Sequence, residues 1–338
     1  MKRLSIAVAL SAALALTACG TTEENDEAPA AAASGECADD TTATSTEPVE
    51  LTDGFGRTVT LDAPAKRIAV LEWQQIEDAL SLCVTPVAVA DAAGYGAWNT
   101  AEKLPADGVV DVGTRGEPNH EALLGTNPDL IIVEAYSADD ENIKALEKYD
   151  IPVLATKGAD AADPIAQMRS TFELIAEATG RGERAEAVLE QFDTKLADAK
   201  EKVADADLPT TEFVYFDGWV DGGNISIRPF GQGALVSELG EALGLTNAWT
   251  GEVDPAYGLG QTDVEGFTKV GDATLLYTGT IDPEAEDVNE RLAANPIWKK
   301  LPSVEAGNAH AFPAGIWTFG GPRSAEQVID AYLGVLVD

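Results

Sequence analysis

Residues 68–90 read IAVLEWQQIEDALSLCVTPVAVA. The stretch begins with four apolar residues at 68–71, continues with apolar residues at helical spacing as far as Leu82, and returns to an apolar run at 87–90. Short apolar strands that alternate with helices are typical of a mostly parallel sheet covered by helices on both faces. This stretch therefore predicts an α/β fold.

The same alternation continues along most of the chain. Further short apolar strands are predicted at 109–112, 128–133 and 152–155, and later at 213–216, 273–277 and 309–312. Between these two groups, residues 163–205 carry apolar residues at helical spacing without a strand. We therefore predict two Rossmann-like α/β lobes joined by helix. Their expected bounds are 51–160 for the first lobe, 161–207 for the helical linker and 208–338 for the second lobe.

The amino-terminal segment has the features of an export signal. Lys2 and Arg3 precede an apolar run at 4–16, which is too short for a membrane span, and small residues lead into Cys19. This resembles a bacterial lipoprotein signal, with residues 1–18 removed and Cys19 lipidated, for example with palmitate. A plain signal peptide with an incidental cysteine is the alternative. We expect a chain anchored by lipid at the extracytoplasmic face of the cell membrane.

Residues 19–50 are predicted to form a disordered acidic tether. Nine carboxylates and many small residues occur at 20–50, without lysine, arginine, leucine, isoleucine, methionine or an aromatic residue. After export, Cys37 in the tether and Cys83 in the first lobe would lie in an oxidising compartment, which favours a disulfide between them. A buried Cys83 thiol with a free Cys37 is the alternative.

Charge and motifs exclude several classes of function. The chain has 22 Lys+Arg against 58 Asp+Glu and a net charge of −36, so nucleic acid would repel it. No P-loop, dinucleotide-binding, zinc-protease or serine-hydrolase motif occurs, and the two histidines are His120 and His310. We therefore expect no enzyme activity and no resident metal or cofactor. A secreted acidic hydrolase that uses paired carboxylates is the alternative from another class.

Aromatic residues and arginines follow the predicted strands. Ligands of open α/β sheets bind beyond the carboxyl ends of the strands, where aromatic planes and fixed guanidinium donors would suit a bulky, oxygen-rich ligand. Partial burial in a core is the alternative for each tryptophan. Arg228 is a further candidate, with a surface ion pair as its alternative. The strand-end candidates are Trp73, Tyr95, Trp98, Arg115, Tyr136, Trp317 and Phe319.

At these residues the chain resembles the siderophore-binding proteins of ABC importers, and most closely the ferric-hydroxamate-binding type. The resemblance covers nearly all of residues 66–338. It rests on the segments at 67–73, 89–91, 111–119, 127–130, 247–252, 295–298 and 313–317, together with Trp98, Glu121, Ala306 and Gly307.

The resemblance implies a class III solute-binding protein with two α/β lobes, a rigid helical linker and a shallow cleft. Arg115 would hydrogen-bond the hydroxamate oxygens around Fe(III), and Trp98, Trp317 and Tyr257 would line the cleft. The chain departs from the family pattern at Tyr257, where a tryptophan is expected, and at Tyr136, which is shifted by about two positions.

The resemblance also implies partners. One carboxylate in each lobe, Glu121 and Glu265, would dock onto arginine pockets of the two permease subunits. Acidic preference for helix N-termini is the alternative for both residues. We expect a monomer that captures a ferric siderophore, of the hydroxamate type, and delivers it to the permease. A catecholate siderophore, haem or a corrinoid in the same fold is the nearest alternative.

Overall fold

A computed structural model describes residues 35–221, 224–278 and 288–337 of the chain. The strands within these residues are β1 (Val49–Thr52), β2 (Thr58–Leu61), β3 (Ile68–Val70), β4 (Ala88–Val89), β5 (Val110–Asp111), β6 (Leu130–Ala135), β7 (Val153–Lys157), β8 (Glu212–Asp221), β9 (Asn224–Phe230), β10 (Thr246–Asn247), β11 (Thr274–Tyr277) and β12 (Ala309–Ala311). The helices are α1 (Gly35–Ala38), α2 (Trp73–Ser81), α3 (Ala92–Trp98), α4 (His120–Gly125), α5 (Glu141–Leu146), α6 (Pro164–Thr179), α7 (Gly182–Asp205), α8 (Leu235–Ala242), α9 (Val288–Ala294), α10 (Pro302–Glu305) and α11 (Pro322–Leu336). Short 3-10 helices occupy Val264–Lys269 and Trp298–Lys300.

The first sheet is parallel throughout and has the strand order β5-β4-β3-β6-β7. All three residues of β3 are fully buried, as are Leu130, Ile131 and Ile132 of β6. Strands that are buried on both faces read as continuous apolar runs, which is why the sequence predicts this sheet so directly. The antiparallel pair β1 and β2 forms a separate two-stranded sheet.

The second sheet is mixed. Strands β10, β8, β11 and β12 are parallel in that order, whereas β9 pairs antiparallel with β8. The register of β8 and β9 runs from Tyr215 opposite Phe230 to Asp221 opposite Asn224, so Asp217 lies opposite Arg228. Because β8 is ten residues long and its parallel neighbour β11 pairs only with its first half, the β8–β9 hairpin extends beyond the rest of the sheet.

Helices α6 and α7 connect β7, the last strand of the first sheet, to β8, the first strand of the second sheet. Asp163 caps α6 by accepting a hydrogen bond from the backbone N–H of Ala166, and Gly180 ends it in the left-handed region with φ of 70°. Phe172 and Ile175 of α6 pack in the core of the first sheet, whereas Phe192 of α7 packs in the core of the second. These two helices follow one another without an intervening strand, and they contribute to both cores.

The structure differs from the expected acidic tether over residues 37–50. Cys37 and Cys83 are joined by a disulfide, which fastens this segment to the end of α2. The buried guanidinium of Arg181 forms an ion pair with Asp40 and donates a hydrogen bond of 2.7 Å to Oγ1 of Thr44. Polar contacts and a covalent bond therefore order residues 37–48, and Val49 of β1 packs in the first core. The expected signal peptide and residues 19–34 of the tether, including Cys19, lie outside the described residues.

None of the helices in the described ranges is both long and apolar enough to cross a membrane.

Candidate functional site

A cleft of about 590 Å³ lies at the carboxyl ends of the first sheet. Each strand of that sheet contributes a residue at or just after its end: Glu72 follows β3, Asp91 follows β4, Arg115 follows β5, Glu134 lies in β6, and Gly158 follows β7. The second half of the chain supplies the facing residues, which are Arg228, Tyr257, Leu259, Trp317 and Phe319. The cleft therefore occupies the position that the α/β topology predicts.

Arg115 is held between a carboxylate and two tryptophans. Its Nη1 lies 2.6 Å from Oε1 of Glu72, and its guanidinium carbon lies 3.8 Å from the ring centre of Trp73 and 5.7 Å from that of Trp317. The side chain is 34% exposed, so donor atoms remain accessible from the cleft. Stacking and ion pairing fix the guanidinium plane, which limits the entropy that Arg115 would lose when it binds an oxygen ligand.

Glu72 has two roles in this arrangement. It is the N-cap of α2, where its Oε1 accepts a hydrogen bond of 2.8 Å from the backbone N–H of Trp73. The same oxygen accepts the hydrogen bond from Arg115. The start of α2 thus orients both the carboxylate that holds Arg115 and the indole on which Arg115 stacks.

Arg228 forms the second cationic centre of the cleft. It makes a two-point contact with Asp217, in which Nε lies 2.9 Å from Oδ1 and Nη2 also contacts Oδ2. Its guanidinium carbon lies 5.5 Å from the ring centre of Phe230 and 5.4 Å from that of Phe319. Arg228 therefore forms an ion pair and also lines the cleft.

Glu134 and Tyr257 bridge the two walls of the cleft. The Tyr257 hydroxyl donates a hydrogen bond of 2.8 Å to Oε1 of Glu134. Burial raises the pKa of Glu134 to about 7 and the Glu72 carboxylate adds to the increase, whereas Tyr257 and Arg115 oppose it. A Cβ at Gly158 would lie 2.2 Å from both Glu134 Oε1 and the Tyr257 hydroxyl, so a side chain at this position would displace the hydrogen-bonded pair.

Aromatic side chains form the apolar wall of the cleft. The rings of Trp317 and Phe319 are 5.2 Å apart in an edge-to-face arrangement, and Tyr257 contacts Phe319 edge-to-face at 5.8 Å. Trp317 also meets Trp73 at 4.7 Å. Edge-to-face contacts of this kind hold aromatic rings in fixed orientations. The wall therefore offers a preformed apolar surface beside the two guanidinium groups.

Three of the aromatic residues that were predicted to bind the ligand do not line the cleft. Tyr95 is only 1% exposed, and its hydroxyl donates to the backbone carbonyl of Glu102, so the prediction that it lines the cleft is wrong. Trp98 packs against the first core and is not among the residues that line the cleft. Trp73 is buried beneath Arg115 and supports the guanidinium group that lines the cleft. Both Tyr95 and Trp98 belong to α3, which turns these side chains away from the strand ends.

The remaining predicted residues lie at the surface. Tyr136 lines the edge of the cleft and is 79% exposed. Glu121 and Glu265 are exposed in the first turns of α4 and of the 3-10 helix at Val264–Lys269, so the helix N-terminus interpretation also fits them. Within the described ranges, no group of three or more His, Cys, Asp or Glu side chains is arranged to hold a metal ion.

The carboxylates of the cleft were missed by the sequence analysis. Glu72, Asp91 and Glu134 line it directly, and Asp217 lies behind Arg228. Glu72 and Asp91 directly follow predicted strands, so the rule that found the aromatics also applies to them. The abundance of acidic residues, 58 in all, concealed this signal. Asp217 also directly follows a predicted strand, at 213–216, whereas its pairing with Arg228 could be found only through the β8–β9 register.

This arrangement is suited to binding an oxygen-rich ligand with apolar parts. Guanidinium N–H groups donate to oxygen atoms, and the aromatic wall covers carbon. Each arginine is already paired with a carboxylate, so the cleft does not present the strong positive field that a highly anionic ligand would require.

Comparison with known proteins agrees with this geometry. The chain is 27% identical over 272 residues to the iron(3+)-hydroxamate-binding protein FhuD of Escherichia coli, covering 79% of this chain and 87% of that protein. It is 26% identical to the probable siderophore-binding lipoprotein YfiY of Bacillus subtilis, covering 82% and 84% of the two chains.

A solved structure has the same fold. The siderophore-binding protein FhuD from Vibrio cholerae, crystallised with Fe3+-Desferal, superimposes with a TM-score of 0.68 at 23% identity, covering 80% of this chain and 98% of that one. The two five-stranded sheets and their surrounding helices thus form the class III periplasmic-binding-protein fold. The family model described as periplasmic binding protein matches residues 68–314, which include both sheets and the helical connection. The chain therefore belongs to the periplasmic binding protein family.

Proposed function

We propose that this chain is the substrate-binding component of an ABC importer and that it captures a ferric siderophore of the hydroxamate type. The observation that carries the proposal is the cleft, in which Arg115 stacks on Trp73 and is held by Glu72 beside the wall of Trp317 and Phe319. The name of the Escherichia coli relative, an iron(3+)-hydroxamate-binding protein, supports the same ligand class, and the name of the Bacillus subtilis relative supports a siderophore. As a binding protein, the chain would leave its ligand chemically unchanged.

In this function the iron arrives already coordinated by the chelator. Three hydroxamate groups fill the coordination sphere of Fe(III) with oxygen atoms, so the protein needs hydrogen-bond donors and apolar walls and no metal ligands. Arg115 is the donor for the hydroxamate oxygens. A ferric tris-catecholate carries three negative charges, and the two carboxylate-paired arginines make the cleft poorly suited to it. The charge of the cleft therefore favours the hydroxamate type.

Fluorescence titration tests the ligand class. Trp73 and Trp317 contact the cleft arginine, so bound iron should quench tryptophan emission. We expect saturable quenching by ferrichrome and ferrioxamine E, and binding at least about tenfold weaker for ferric enterobactin, since like charges across a binding site cost a kilocalorie per mole or more. The iron-free chelators are the control. Absence of binding by all three ferric complexes would contradict the siderophore function.

Delivery to the permease requires two further features of the chain. Lipidation of Cys19 would hold the protein at the extracytoplasmic face of the membrane, as the lipoprotein name of the Bacillus subtilis relative suggests. Glu121 and Glu265 would then contact arginines of the two permease subunits, because charge-assisted carboxylate–arginine bonds supply both attraction and orientation.

Uptake of radioactive iron by cells that depend on this chain separates delivery from binding. We expect the Glu121→Lys/Glu265→Lys double variant to lose most of its uptake while its purified form keeps native siderophore affinity. The Cys19→Ser variant should lose uptake and appear in the soluble fraction. Native uptake by the double variant would assign both glutamates to the acidic preference of helix N-termini.

A further inference from the structure

A second cavity adjoins the ligand cleft. It has a volume of about 490 Å³, and Arg228 and Leu259 line both spaces, so the two lie next to each other on either side of these residues. The other lining residues of this annex, as we call the second cavity, are Trp219, Glu252, Val253, Asp254, Gly260 and Gln261. A ligand group that extends from the cleft beyond Arg228 and Leu259 would therefore reach the annex.

Trp219 provides an exposed aromatic surface in the annex. It lies on β8, two residues beyond Asp217, and therefore on the same face of the hairpin as the Asp217–Arg228 pair. Its side chain is 45% exposed, which makes it one of the most exposed large apolar residues in the described ranges. An aromatic ring that faces a cavity beside the ligand site, and is not covered by the fold, is available to a ligand group.

The annex is acidic. Glu252 is exposed and forms no ion pair with another residue that the structure describes. Asp254, by contrast, accepts hydrogen bonds from the backbone N–H groups of Tyr257 and Leu259 and so shapes the loop that carries Tyr257 into the cleft. Arg228, the cation shared by the two cavities, is already paired with Asp217. Its positive charge therefore does not offset Glu252.

The whole binding region carries more negative than positive side chains. Without Glu134, whose raised pKa reduces its charge, the carboxylates that line the cleft and the annex are still Glu72, Asp91, Glu252 and Asp254, against the arginines at 115 and 228. Such a region attracts positive charge and repels anions. An exposed tryptophan together with an unpaired carboxylate is the combination that binds an ammonium group, through cation–π attraction and an ion pair.

We infer that the annex binds a cationic appendage of the ferric ligand, with an ammonium group placed between Trp219 and Glu252. The inference rests on the proposed siderophore function and makes it more specific: the preferred ligand is a ferric hydroxamate with a positively charged side arm. The iron-bearing part occupies the cleft beside Arg115, and the arm passes Arg228 to reach the annex.

Three ferric hydroxamates distinguish the cleft from the annex. Ferrioxamine B has a pendant ammonium group, its N-acetyl derivative has the same arm without the charge, and ferrioxamine E is cyclic and has no arm. The Kd of each complex is measured by isothermal titration calorimetry, which does not depend on tryptophan emission. We expect the native protein to bind ferrioxamine B about 5- to 20-fold more tightly than the N-acetyl derivative, from one exposed cation–π contact and one exposed ion pair. High salt should reduce this difference.

Variants assign the preference to residues. Glu252→Gln and Trp219→Leu should each weaken ferrioxamine B about two- to fivefold and leave the other two complexes unchanged, because each variant removes one of the two contacts. Asp272→Asn is the charge-matched control, since Asp272 is exposed at the opposite end of β11 from the cleft. All variants are compared by thermal unfolding to confirm that they remain folded.

Each outcome of this experiment is decisive. Equal native affinity for ferrioxamine B and its N-acetyl derivative would overturn the inference, as would variants that weaken all three complexes alike. In both of these cases the siderophore function itself would stand, because the complexes still bind. Failure of the native protein to bind any of the three would instead contradict the proposed function, and the inference with it.

Discussion

Replacing Arg115 by alanine is expected to weaken the binding of a ferric hydroxamate by about 10- to 100-fold, equivalent to roughly 1.5–3 kcal/mol for a hydrogen bond from a charged donor. Arg115 is the cleft cation that the first sheet supplies, and Glu72 and Trp73 fix its orientation. The substitution also leaves the Glu72 carboxylate without its partner at the edge of the site. A neutral complex such as ferrioxamine E is the best probe, because its affinity does not depend on the annex.

Two further variants show what Arg115 contributes. Arg115→Lys keeps the positive charge and loses both the planar stack on Trp73 and the forked donors, so its affinity should fall between those of the native protein and Arg115→Ala. Arg169→Gln is the control for loss of an arginine, since Arg169 pairs with Asp193 at the surface of α6 and α7. Native affinity in Arg115→Ala, measured by calorimetry, would remove Arg115 from the ligand site.

The parts of the site that follow directly from strand ends could be predicted from the sequence. Arg115, Trp317 and Phe319 all follow apolar strands, and the topology of a parallel sheet brings such positions to one edge. The same rule misplaces Tyr95, because a short helix intervenes and its rotation decides whether a side chain faces the cleft or the core. That rotation depends on packing between distant segments, which spacing along the chain does not record.

The second half of the site depends on contacts that are further apart in sequence. Tyr257 reaches the cleft because Asp254 organises its loop, and Glu134 on the opposite wall accepts its hydroxyl hydrogen bond across 123 positions of the chain. Asp217 meets Arg228 only because β9 turns back antiparallel beside β8. A polar residue in a loop carries no sequence signal for such a partner, so resemblance to a family was needed to single out Tyr257.

Glu77 joins the first sheet's helix α2 to the last helix of the chain. It is fully buried, its Oε1 accepts a hydrogen bond of 2.8 Å from the backbone N–H of Ser324, and its Oε2 accepts from the Ser324 hydroxyl at 2.5 Å and from Nδ2 of Asn99 at 2.6 Å. Ser324 is the third residue of α11, whose N-cap Gly321 has no side chain to cap the helix. Glu77 therefore supplies the missing cap from another element.

The neighbouring glycines show how closely the two elements approach. A Cβ at Gly320 would lie 2.6 Å from Oε2 of Glu77, and one at Gly321 would lie 1.9 Å from Oδ1 of Asp78. Asp78 is also fully buried, and burial, followed by repulsion from Glu77, raises its pKa. Two buried carboxyl groups thus lie against the start of α11, and burial raises the pKa of both.

Glu77→Ala is expected to lower the free energy of unfolding by about 3 kcal/mol near pH 5, because it leaves three buried donors without an acceptor and removes the helix cap. Glu77→Gln keeps an amide oxygen that can accept from Ser324 and should cost less than half as much. Denaturant unfolding followed by circular dichroism measures both. An alanine variant as stable as the native protein would show that water or a shift of α11 replaces the cap.

The pH dependence of the same variants reports the protonation of Glu77. Burial raises its pKa from 4.5 to about 7, with repulsion from Glu102 in the same direction and hydrogen bonds from Ser324 and Asn99 opposing. A carboxyl group whose pKa is higher in the folded than in the unfolded state binds protons preferentially in the folded state. Its contribution to stability is therefore complete below about pH 4.5 and is lost as the pH rises to about 7, a change of roughly 3 kcal/mol. Glu77→Gln should remove this part of the decline in stability with pH. A pH profile of stability parallel to that of the native protein would instead show that another group titrates. Asp78 is the first alternative, because burial also raises its pKa.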